Sequence, residues 1–149
     1  MRKRFFRAAG LSIAVGLIIA FLFAVPLMEQ IYTGETQRRL AAVLSMAEGY
    51  AEEDGDYTHI AARVGEWLKA GGLDMRFTVI ASTGEVLADS EADAQSMQNH
   101  ADRPEVSRAL AEGTGTDIRR SETTGEREMY LASAVRRENG VVVYRASLP

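Results

Sequence analysis

Apolar and polar positions follow three different rhythms along this chain. From Ala8 to Met28 there is no alternation at all: AAGLSIAVGLIIAFLFAVPLM contains no charge. A helix rising 1.5 Å per residue needs about 20 such residues to cross a ~30 Å hydrocarbon core, so this run predicts a transmembrane helix, residues 8–28. Pro26, near its far end, is a tolerable kink. From Glu29 to about Glu53 the rhythm becomes helical. Leu40, Val43, Leu44, Ala47 and Ala51 recur at three- and four-residue spacing, with Arg38, Arg39, Glu48 and Glu52 on the other side. That predicts an amphipathic helix continuing the span. Its apolar face can serve its own domain or the same helix of a second subunit. EDGDY reads as a turn, and Thr58 to Ala70 as a second helix with Ile60, Val64, Trp67 and Leu68 inward, stopped by Gly71-Gly72.

After residue 75 the period falls to two. MRFTVIAS places Met75, Phe77 and Val79 on one face and Arg76, Thr78 and Ile80 on the other, and TGE returns the chain into EVLADS as an antiparallel hairpin. A short helix is expected from Pro104 to Glu112, with Val106, Ala109 and Leu110 on one face and Gly113 at its stop. Two signals for its start differ by one residue: Asp102 before Glu105 suggests a capping box, whereas Pro104 at the first helical position makes Arg103 the cap. Three strands follow, TDIRRSE, REMYLASAVRR and VVVYRASLP, joined by a TTGE turn and by the hairpin pair Asn139-Gly140. The pattern therefore predicts an α+β protein: a transmembrane helix, a helical stretch over 31–70, and a five-stranded antiparallel sheet with one short helix over 75–149.

Charge orients this architecture. Arg2, Lys3, Arg4 and Arg7 precede the apolar run, which predicts residues 1–7 in the cytoplasm and 29–149 outside. A cleaved signal peptide fits less well, because its apolar core spans only ~7–15 residues and AVPLMEQ offers no small-x-small site. The extracytoplasmic part, about 120 residues, suits one core. The net charge of −4 becomes −8 once the four basic residues before the span are set aside (13 basic against 21 acidic), which argues against a nucleic-acid surface. Fifteen of the 17 basic residues are arginine, an imbalance that reflects base composition rather than phosphate binding. Cysteine is absent, which removes disulfides, cysteine-based zinc sites and thiol nucleophiles. His59 and His100 are the only histidines and lack the spacing of a zinc or iron site. No G-x-S-x-G elbow supports a hydrolase. The acidic groups Glu52-Glu53-Asp54 and Asp89 to Asp93 are weak candidates for a divalent cation. No catalytic residue, metal ligand or cofactor is expected.

The stretch VIASTGEVLADSEADAQSMQNHADRPEVSRALAEGTGTDIRRSETTGEREMYLASAV closely resembles the extracytoplasmic single Cache (PAS-like) sensor domain of PhoR/ResE-type two-component sensor histidine kinases. The matching positions are Gly84, Val86 to Ser90, Asn99, His100, Arg103 to Glu105, Ala109, Leu110, Gly113, Ile118, Arg119, Ser121, Gly125, Met129, Tyr130 and Ala132. The likeness covers about Arg76 to Pro149; the membrane anchor and the first helices fit by architecture alone. It implies a PAS/Cache-like fold, a bacterial inner-membrane location, a homodimer through the membrane-proximal helix, and an unidentified small-molecule or envelope stimulus. It also implies a longer parent whose second span, HAMP linker and kinase part, the part that meets a response regulator, are not among these residues. The expected function is thus the input module of a membrane-bound sensor histidine kinase. The alternative is a single-span extracytoplasmic interaction protein with the same fold and no kinase.

The resemblance focuses attention on NHADRPE. One reading makes Asp89, Ser90, Asn99, His100, Arg103 and Arg119 the lining of a ligand pocket between the sheet and the loop that covers it, with Arg103 or Arg119 clamping an anion. The other makes the motif a latch: Asp89 and Asn99 satisfy the backbone of the SEADAQSMQNHA loop, Arg103 pairs with a carboxylate, and Pro104-Glu105 starts the helix.

Overall fold

A computed structural model describes residues 2–53, 56–121, 125–137 and 140–149. The expected turns at Asp54-Gly55, at Thr123-Thr124 and at Asn139 lie outside the described residues, as do the side chains of Glu52 and of the N-terminal basic cluster. The chain divides into two compact units, Met1–Glu35 and Thr36–Pro149. Helix α1 (Arg2–Glu53) is continuous through Pro26, and from Ile13 onward it carries a stretch long and apolar enough to cross a membrane. Large side chains there, such as Phe21, Leu22 and Phe23, are exposed.

Within Thr36–Pro149 the elements are the end of α1, α2 (Tyr57–Ala70), β1 (Arg76–Ala81), β2 (Val86–Asp89), a single 3-10 turn at Ala94–Ser96, α3 (Pro104–Glu112), β3 (Thr114–Arg120), β4 (Arg127–Arg137) and β5 (Gly140–Leu148). The five strands form one antiparallel sheet in the order β2-β1-β5-β4-β3, the α+β arrangement the periodicity predicts. One face is largely apolar. Phe77 and Val79 of β1, Met129 and Leu131 of β4, and Val142, Tyr144 and Ala146 of β5 pack with Leu40, Val43, Leu44 and Ala47 of α1 and with Ile60, Val64 and Leu68 of α2. Burial of this size is the dominant favourable term in folding.

The second face changes character along the strands. At one end Ile80, Ala132 and Val143 are covered by Val106 and Ala109 of α3. Toward the other end the alternate positions become polar: Thr78 and Arg76 on β1, Arg145 and Ser147 on β5, Tyr130 and Glu128 on β4. Paired residues share a face, and the register sets Arg145 opposite Thr78 and Ser147 opposite Tyr130. Six of these polar positions are therefore a consequence of period-two alternation on three central strands.

Two inward assignments need correction. Trp67 is 44% exposed, not in the core. The buried stripe of α2 is Ile60, Ala61, Val64, Gly65 and Leu68, and at about 100° per residue its centre lies about a quarter turn from Trp67. Gly65 sets that orientation: a Cβ built there would lie 3.0 Å from the Cβ of Ser90, so the helix and the end of β2 meet closely. Leu110, likewise expected to face inward, is 36% exposed, and its place on the inner face of α3 is taken by Glu105, which is fully buried. The start of α3 is resolved in favour of proline: Arg103 is the N-cap, Pro104 opens the helix, and no side chain caps it. Glu105 is thus free of the capping box, because its carboxylate is engaged below the helix.

Candidate functional site

The polar end of the second sheet face carries a cavity of about 350 Å³. Its floor is Arg76, Arg119, Glu128, Tyr130, Arg145 and Ser147; its cover is the loop through Ser96, Met97 and Gln98, with His100 and Arg103 at the entry to α3. Of the seven residues singled out from sequence, His100, Arg103 and Arg119 line this cavity. The other four hold it together.

Asp89, at the end of β2, has every lone pair in use. It takes Nε of Arg76 at 3.0 Å on both oxygens, the Thr78 hydroxyl at 2.8 Å, and the backbone N–H groups of Glu91 and Ala92 at 2.9 and 3.0 Å. Its carboxylate has zero side-chain exposure. The loop leaves β2 through this carboxylate and returns through Asn99, whose amide donates to the Thr83 carbonyl at 3.1 Å and whose oxygen accepts the Ala101 N–H at 2.8 Å. The His100 N–H donates to the Gly84 carbonyl at 2.7 Å. Gly84 has φ +86°, and a Cβ there would strike Asn99 Oδ1 and the Ala101 backbone, so the glycine is required by the approach of the loop to the hairpin turn. Ser90 accepts the Phe77 N–H at 3.0 Å and donates its own to the Phe77 carbonyl, closing the β1–β2 edge.

Glu105 organises the opposite side. Arg119 of β3 donates to it twice, at 2.9 and 3.1 Å, and Nη1 of Arg145 stands 3.5 Å away. Arg119 also reaches Asp117 at 3.2 Å. The two guanidiniums share an aromatic ring as well, Arg119 at 3.7 Å and Arg145 at 5.5 Å from the centre of Tyr130. One carboxylate thus faces two cations. α3 approaches close enough for this because Gly115 on β3 has no side chain: a Cβ there would collide with the Glu105 carbonyl oxygen.

The electrostatic field in the cavity is positive where His100 sits. Burial, then the guanidiniums of Arg145, Arg103, Arg76 and Arg119 in turn, push the His100 imidazole down to about 4, so it is neutral at pH 7. Tyr130 is pushed above its usual value, chiefly by burial; its hydroxyl bonds with Ser121 and Glu128. On the cavity wall, Nε of Arg145 and Nδ1 of His100 are buried and meet no hydrogen-bond partner among the described residues. Arg145 is 5% exposed and His100 6%.

Arg76, Glu128 and Arg145 were not singled out in the sequence, yet they complete the site. The signal for Arg145 was present: an arginine inside VVVYRAS interrupts a buried apolar run and needs a partner wherever it lands. Among the described residues no three His, Cys, Asp or Glu side chains converge as a metal set. The weak cation candidate at Asp89 to Asp93 is occupied otherwise, with Asp89 saturated as above and Asp93 accepting the Gln95 N–H at 3.1 Å.

No family model and no curated protein matches the chain. Among solved structures it is similar to an extracellular ligand binding receptor from Desulfohalobium retbaense DSM5692, with TM-score 0.42 and 11% identity over 61% of this chain. The chain spans only 14% of that receptor's length. The fold assignment rests on the sheet order and the helix packing.

Proposed function

We propose that residues 29–149 are the extracytoplasmic input domain of a membrane-anchored sensor histidine kinase, with 8–28 as the anchor and the cavity as the place where the stimulus acts. One observation carries the reading. On β5, Arg145 faces the cavity while its neighbours Tyr144 and Ala146 face the core shared with α1. A change at the cavity is therefore one residue away from the helix that leads toward the apolar stretch. A second link runs beside it, since Arg137 of β4 donates to the Tyr144 hydroxyl at 3.3 Å and lies 3.5 Å from the Glu48 carbonyl of α1. Occupancy that moves β5 by an ångström or so biases the packing of α1, the kind of small shift that a bistable helix pair amplifies. The kinase, the homodimer and the response regulator come into this reading from the resemblance of the NHADRPE region.

The kinase part is tested by reading the DNA that follows the Pro149 codon. The expected frame continues into a second apolar segment of about 20 residues and a histidine-bearing helix. A stop codon there overturns the kinase assignment and favours an anchored interaction protein.

A further inference from the structure

Sulfur chemistry in this chain belongs to methionine alone, with six methionines and no cysteine. The fold shelters them unequally. Met75 and Met129 are buried, at 5% and 8% exposure, and Met46 packs against the same core. Met97 is different: it is half-buried in the loop that covers the sheet, between the exposed Ser96 and Gln98. It lines the cavity above the sheet and also a second one of about 430 Å³, which it shares with Val86, Leu87 and Gln95. Small solutes therefore have two routes to its side chain. Its sulfur accepts Nη2 of Arg76 at 3.7 Å, while Asp89 holds Nε of the same guanidinium. This contact ties the middle of the loop to β1, between the fastenings at Asp89 and Asn99. A thioether is a weak acceptor, so the tie is weak.

Oxidation to the sulfoxide changes that. A sulfur lone pair attacks one oxygen of hydrogen peroxide, the O–O bond breaks as the sulfur–oxygen bond forms, and the proton on the attacked oxygen passes to the departing hydroxide, which leaves as water. Sulfur loses two electrons and the peroxide gains them. The product carries a polar oxygen one bond from the atom that Nη2 already addresses. A sulfur–oxygen bond bent away from the N···S line brings that oxygen within about 2.9 Å of Nη2, the ordinary hydrogen-bond distance. The donor is a cation, which makes the new bond a charge-assisted one. Asp89 has already fixed the guanidinium, so little further ordering is needed. We infer that Met97 is an oxidation site, at which a peroxide turns a weak contact with Arg76 into a strong one and locks the covering loop onto β1. The change is reversible, because methionine sulfoxide reductases restore the thioether.

Hydrogen peroxide acting on the full chain in detergent micelles tests this, with peptide mass spectrometry following each methionine. The Met97 sulfoxide is expected to form about ten-fold faster than those of Met46, Met75 and Met129, which lie in or against the core. Once the peroxide is removed, a protease of broad specificity reads the state of the loop. Cleavage between Glu91 and Gln98 should slow by about ten-fold after oxidation, the scale of one hydrogen bond to a charged group. Met97→Leu keeps the volume and removes the sulfur, so in that variant the loop should be cut at one rate with and without peroxide. Met46, Met75 or Met129 oxidising as fast as Met97, a loop cut equally fast or faster after oxidation, or a peroxide effect that survives in Met97→Leu overturns the inference.

Discussion

Glu105→Ala will be the most damaging single substitution on the polar face, lowering stability by about 3–5 kcal/mol. The carboxylate is fully buried and holds two guanidiniums, bonding Arg119 at 2.9 and 3.1 Å and facing Arg145 at 3.5 Å. Removing it takes from Arg145, itself 5% exposed, the carboxylate that stands 3.5 Å away. The same loss loosens α3 on β3 and β5, leaving it held by the packing of Val106 and Ala109 and by the bond from Arg108 to the Thr116 carbonyl. Urea unfolding of the full chain in micelles measures the effect, with Glu112→Ala, on the exposed end of α3, as the control within about 0.5 kcal/mol of the parent. If Glu105 served only a helix cap, the loss would be near 1 kcal/mol, and that result would refute the role given to it here.

Asp89→Ala should follow with a loss of about 2–4 kcal/mol, and its signature should be local as well as global. The substitution orphans the Arg76 guanidinium and the Thr78 hydroxyl, and it frees the Glu91 and Ala92 N–H groups that begin the loop. The cover of the cavity then keeps its tie at Asn99 and loses the carboxylate that fastens its other end. Limited proteolysis should therefore cut between Glu91 and Gln98 in the variant well before it cuts the parent, alongside a lower melting temperature. An unchanged melting curve would show that the carboxylate does not fasten the loop. Both substitutions concern residues of the latch, and the structure thereby joins the two readings of NHADRPE: the latch residues build the frame, and His100, Arg103 and Arg119 face what it encloses.

Local structure was legible in the sequence wherever one physical rule acted alone. Period-two alternation placed β1 and β4, Pro104 and Gly113 bounded α3, and the three- and four-residue spacing from Leu40 to Ala47 marked the buried side of α1. The sequence misled where a neighbour decides the orientation. Trp67 is the largest apolar residue of α2, yet Gly65, against Ser90, turns the helix so that the indole stands outside. Glu105 reads as a residue of a helix start, where an acid suits the dipole and needs no partner; only the approach of β3 at Gly115 reveals that it is buried. The cavity itself needed the strand order. Arg76, Glu128 and Arg145 are as many as 69 positions apart in the chain and meet because β5 lies between β1 and β4.

The central claim is that this domain faces the outside of the cell, and the absence of cysteine makes a direct measurement clean. Glu112→Cys places one thiol at an exposed position at the end of α3. In spheroplasts expressing the full chain, a membrane-impermeant maleimide should label it as completely before lysis as after. Labelling that appears only after lysis would put the domain in the cytoplasm and contradict the account.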